Sequence, residues 1–79
     1  MTYKLIDDDF NSVATCSNVR DAVTLAKDIA AGRRASSNRQ VGIRVERLKG
    51  RESEYVRFIV AYDSGEVVSY NIDKIMRSL

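Results

Sequence analysis

Residues 55–72 read Tyr-Val-Arg-Phe-Ile-Val-Ala-Tyr-Asp-Ser-Gly-Glu-Val-Val-Ser-Tyr-Asn-Ile, two apolar-rich runs flanking Asp63-Ser64-Gly65. Val56, Phe58, Val60 and Tyr62 alternate with Arg57, Ile59 and Ala61, the period of two that belongs to a strand. Asp-Ser-Gly suits a type I turn with glycine in the left-handed position, which sets Tyr62 opposite Glu66. The register then faces Val60 with Val68, Phe58 with Tyr70 and Val56 with Ile72, all apolar pairs. The other face carries Ala61 with Val67, Ile59 with Ser69 and Arg57 with Asn71. The uniformly apolar face is expected to be buried, with Phe58, Tyr62 and Tyr70 in the core, and the mixed face to be solvated or offered to a partner.

Upstream, Val41, Ile43 and Val45 alternate with Gly42, Arg44 and Glu46, predicting a strand over 41–48 joined through Lys49 to Glu54 to a strand over 55–62 and a third over 66–71. Val19, Ala22, Val23, Ala26, Ile29 and Ala30 recur at three- and four-residue steps, the stripe of an amphipathic helix over 18–31. Ser17 or Asn18 can cap its start, Asp21 sits in its first turn, and Gly32 is expected to end it. Its many alanines let it lie close against a sheet. Residues 32–40, GRRASSNRQ, have no periodicity and read as a long loop. Tyr3 to Ile6 is a short strand, and Ile72, Ile75, Met76 and Leu79 form the stripe of a short C-terminal helix capped by Asn71. The expectation is one α+β domain over 1–79, β-α-β-β-β-α, with the long helix across the apolar face of an antiparallel sheet.

Seventy-nine residues leave room for one core and none for an interdomain cleft or a large cofactor pocket. Hydrophobic residues at 44% and charged residues at 30%, with no proline, make a folded composition. The lack of histidine removes every mechanism that needs an imidazole, so no enzyme, cofactor or metal is expected. Cys16 is the single cysteine, which excludes an internal disulfide and points to a reducing compartment. The opening residues carry no basic stretch followed by a long apolar run, and no segment approaches the ~18 apolar residues of a membrane span. A cytoplasmic protein without membrane contact, monomeric or homodimeric, is expected.

Net charge is only +2. Its distribution is uneven: residues 33–51 hold seven cations, Arg33, Arg34, Arg39, Arg44, Arg47, Lys49 and Arg51, against Glu46 alone, or +6, while the remainder has six cations against ten acids, or −4. Six of the seven are arginine, whose planar fork suits carboxylate and phosphate. They are the candidate residues for docking a partner or phosphates, on the condition that they gather at one exposed rim. Three further features have ordinary readings. Asp7-Asp8-Asp9 is a solvated strand end sooner than a cation site, because adjacent carboxylates converge on one ion only at a sharp turn. Cys16, without a histidine partner, is a small apolar residue. Arg33-Arg34-Ala35-Ser36 matches a basophilic kinase pattern that chance often produces.

The order of a helix at 18–31, strands at 41–48, 55–62 and 66–71 and a last helix from 72 resembles the double-stranded RNA-binding domain. Where that family has its recognition loop and lysine-rich helix start, this chain has Lys49-Gly50-Arg51-Glu52-Ser53-Glu54 and Ile72-Asp73-Lys74-Ile75, so none of its binding residues is carried over. In size and style the chain also resembles small phage-encoded anti-defence proteins of the anti-CRISPR kind. That resemblance implies stoichiometric inhibition of a host protein or nucleoprotein complex. Direct contact with DNA or RNA phosphates by the same cations is the alternative.

Overall fold

The computed structural model describes residues 1–72. Its elements are β1 (Thr2–Ile6), β2 (Ser12–Cys16), α1 (Val19–Ser37), β3 (Val41–Lys49), β4 (Glu52–Ala61) and β5 (Val67–Asn71). All neighbouring strands pair antiparallel, in the order β2-β1-β3-β4-β5. The expected α+β class and the long helix on one sheet face are present. The expected C-terminal helix lies outside the described residues except for its first position, Ile72.

Asn18 starts α1 by accepting a 2.8 Å hydrogen bond from the Asp21 amide, while Asp21 takes one from the Asn18 side-chain amide at 2.9 Å. The two side chains thus satisfy each other and a free amide of the first turn. Gly32 does not end the helix. Asn38, in the left-handed region at φ 57°, caps it instead, with its backbone N–H donating to the Arg34 carbonyl. Only residues 38–40 remain as a loop. The extra turns have a physical cause: a 19-residue helix is ~28 Å long, the span of the nine-residue strand β3, and so reaches the far end of the sheet. There Arg33 bonds the Asp7 carboxylate and Arg34 donates to the Asp63 carbonyl, anchoring those turns.

Beneath the helix, Ala22, Ala26 and Ala30 meet Tyr3, Leu5, Val41, Ile43, Val45, Val56, Ile59 and Ala61 in one buried cluster. Methyl-sized side chains on the helix and branched ones on the sheet bring the layers close. This reverses the expected facing of β4. Its register with β5 is the expected one, with Phe58 opposite Tyr70 and Val60 opposite Val68. Pairing with β3, however, sets Ile43 opposite Ile59 and Val41 opposite Ala61, so Ile59 and Ala61 follow β3's buried residues under the helix. Phe58 follows its partner Arg44 to the opposite face, and Tyr70, paired with Phe58 and hydrogen-bonded through its hydroxyl to Tyr62, goes with it, so none of the three expected core rings lies in the buried cluster. A β-bulge between Val45 and Glu46 restores Val56, at 1% exposure, to the core. The link from β3 to β4 is also tighter than expected. It is a two-residue turn at Gly50 and Arg51, with Gly50 at φ 59°.

β2 was hidden in the sequence behind the Asp7–Asp9 triplet. Its turn is built by Asp7, whose carboxylate accepts from the amides of Asp9 and Asn11, both at 2.9 Å. Cys16 ends β2 opposite Tyr3, half-buried against the core. Ser36 lies in the last turn of α1 rather than in a loop.

Candidate binding face of the sheet

The seven candidate cations do not share a rim. Arg33, Arg34 and Arg39 lie at the end where α1 finishes and β3 begins; Arg47, Lys49 and Arg51 lie at the other end of β3 and its turn. Eight residue steps of strand put ~26 Å between the two groups, about three Debye lengths in physiological salt, so their fields do not combine. Several are matched within the chain. Arg33 pairs with Asp7 at 2.8 Å. Glu54 takes Arg47 on one oxygen and Lys49, at 3.1 Å, on the other. Those partners hold the Asp7 and Glu54 carboxyls below their ordinary pKa, Arg33 being the main cause at Asp7 and Arg47 at Glu54. An open cleft of about 680 Å³ runs past Asp8, Asp9, Arg33, Ser36, Ser37 and Arg39. It mixes acids and cations along exposed walls.

Arg44 is different. It lies mid-strand on the face away from α1, opposite Ile6 on β1 and Phe58 on β4. Its guanidinium stacks between two rings, 5.0 Å from the Phe10 centroid and 5.5 Å from that of Tyr55. Tyr55 meets Phe58 edge to face at 6.3 Å between centroids. Among the described residues, no carboxylate lies within ion-pair distance of Arg44, and its Nε is buried without a hydrogen-bond acceptor.

Each ring has a local reason for its place. Gly42 leaves β3 bare where the Phe58 ring lies: a Cβ there would come within 2.9 Å of that ring and 3.0 Å of the Asp8 carboxylate. Asp8 in turn accepts from the Gly42 amide at 3.1 Å, closing the strand end. Phe10 sits on the β1–β2 turn at φ 63°, in the left-handed region, and is 75% exposed. A bulky residue pays steric strain there that glycine or asparagine would avoid, and gains no burial in return. Tyr55 is 37% exposed, and partial burial pushes its phenol pKa up. Together with Ile6, Asp8 and Gly42 these side chains line a shallow cleft of about 150 Å³. That is small beside the ~300–1,000 Å³ of sites for drug-sized molecules, and suits one flat group of a larger partner.

Sequence reasoning named Arg44 and Tyr55 but missed Phe10 and Phe58. Parity read within β4 alone sent Phe58 inward; pairing it with Arg44, the outward neighbour of an inward Ile43 on β3, would have sent it outward. Phe10 carries no periodic signal, being a single residue on a turn. No family model, curated protein or solved structure matches the chain. No helix among the described residues is long and apolar enough to cross a membrane.

Proposed function

We propose that the protein works by stoichiometric docking, without catalysis, and that the helix-free face of its sheet is the docking surface. Its target is a host nucleoprotein complex, which it inhibits in the manner of a small phage anti-defence protein. The observation that carries the docking reading is Phe10: an exposed ring held in a backbone conformation that costs stability, positioned over an arginine with no carboxylate partner among the described residues. Strain retained at an exposed residue is characteristic of binding sites. Aromatic and arginine side chains are also the groups that dominate binding energy at protein surfaces. The cations at the two ends are less suited to the task, since Arg33, Arg47 and Lys49 already hold carboxylates of their own chain.

The test is retention of a complex from host lysate by the tagged protein and by a Phe10→Ser/Arg44→Ala/Tyr55→Ser variant. The wild type is expected to hold a nucleoprotein complex, to block its activity at a one-to-one ratio, and to lose both properties in the variant. Equal retention by the two proteins, or inhibition at far below one equivalent, would overturn the reading.

A further inference from the structure

We propose that the component of the partner gripped by this face is single-stranded nucleic acid, with bases stacked on Phe10, Tyr55 and Phe58 and a phosphate on Arg44. The inference rests on the docking reading above and assigns the chemistry of the occupant. Every base has a flat π-face, and exposed rings beside an arginine form the platform on which unpaired bases stack. Here the exposed rings of Phe10 and Tyr55 lie 5.0 and 5.5 Å from one guanidinium on a single sheet face, and the half-buried Phe58 ring lies 6.3 Å from Tyr55. A duplex keeps its base faces covered and leaves such rings nothing to stack on. Aromatic and arginine side chains also serve protein interfaces, but there they sit within a broad, well-packed patch rather than around one shallow cleft. Around this cleft Ile6 and Val60 are 6% and 3% exposed, and the large side chains that protrude are Phe10 and Tyr55.

The charges separate this site from one built on the seven-cation segment. Among the described residues, Lys4 and Arg44 are the cations of the face; its acids are Asp8, which accepts from the Gly42 amide, and Glu46, which stands opposite Lys4 and accepts from the Ser53 hydroxyl at 3.2 Å. One or two phosphates neutralised on a single strand give a log–log salt slope of roughly −0.7 to −1.4, whereas seven would give about −5. Binding should therefore depend shallowly on salt and strongly on the presence of bases.

The experiment is fluorescence anisotropy of a labelled 12-nucleotide thymidine strand at several salt concentrations, beside an abasic strand of equal length. The wild type is expected to bind the thymidine strand with the shallow slope and the abasic strand at least ~10-fold more weakly. Tyr55→Leu and Phe10→Leu are each expected to weaken thymidine binding by about 5-fold or more, in line with stacking energies per base. Thermal melts of each variant separate lost contacts from lost fold. Equal affinity for the two strands, a slope near −5, or no binding at 20 mM salt would overturn the inference. In that last case the retention experiment, repeated after nuclease digestion, still decides the docking reading. A complex held through Phe10, Arg44 and Tyr55 after digestion would keep the docking surface and make its occupant a protein.

Discussion

The Arg33 guanidinium donates to the Asp7 carboxylate at 2.8 Å, tying the last turns of the helix to the turn that carries Phe10. Asp7 is 7% exposed and its carboxylate also accepts the amides of Asp9 and Asn11, so one side chain sets both the turn and its attachment. Arg33 is thereby a positioning residue for the sheet face rather than part of a basic rim.

This linkage makes the fold acid-sensitive. The Asp7 pKa is lowered in the folded protein, first by Arg33 and then by the backbone amide of Asn11. A carboxyl whose folded pKa is depressed contributes stability in full above its unfolded pKa and loses it as pH falls through the folded one. Urea midpoints should therefore decline as pH drops from 5 toward 2. Asp7→Asn should lower the midpoint at pH 7 and flatten the decline, leaving the share due to Glu54, which Arg47 and Lys49 depress in the same direction. An unchanged decline in Asp7→Asn would remove Asp7 from this role.

Gly42→Ala should destabilise by about 1–3 kcal/mol, the usual cost of forcing extra volume into a packed site. The new methyl would meet the Phe58 ring at 2.9 Å, and Asp8 blocks the alternative direction at 3.0 Å. Phe58→Leu in the same chain should recover part of that loss, seen as a non-additive double-mutant cycle from chemical denaturation. Strict additivity would mean that the ring does not rest on Gly42.

Phe10→Gly should leave stability within about 0.5 kcal/mol of the wild type, because release from the left-handed conformation offsets the lost contact with Arg44. The same substitution should weaken binding by removing one ring. A large drop in melting temperature would show that Phe10 is structural.

Ile59→Ala should cost about 2–5 kcal/mol, as a fully buried branched side chain under the helix, and Ile43→Ala a similar amount. Near-neutral effects at both positions would place the core on the other face.

That last pair marks what could be read from the chain alone. The Asp63-Ser64-Gly65 turn is local chemistry, and the structure keeps its register: the Tyr62 amide donates to Glu66 at 2.8 Å and Gly65 takes φ 95°. The alanine stripe of α1 and its Asn18 cap are local too. What was not legible depends on contacts distant in sequence. Gly32 reads as a stop until the Asp7 and Asp63 partners of Arg33 and Arg34 are known. Val56, Phe58 and Val60 look like one face because a bulge leaves no mark in a pattern of apolar residues. The segment Ser12–Cys16 is too short and too mixed to announce a strand without β1 beside it. The binding site fared similarly: charge counting found Arg44 among seven cations, but only the strand pairing separates it from six that lie toward the ends of the sheet.

The most direct measurement is a titration of the isotopically labelled protein with a single-stranded oligonucleotide, followed by NMR of backbone amides and arginine Nε–H groups. The largest shift changes are expected at Phe10, Arg44, Tyr55 and Phe58, with Arg33, Arg34 and Arg39 nearly silent. Changes centred on those three arginines, with the sheet face unmoved, would contradict the account.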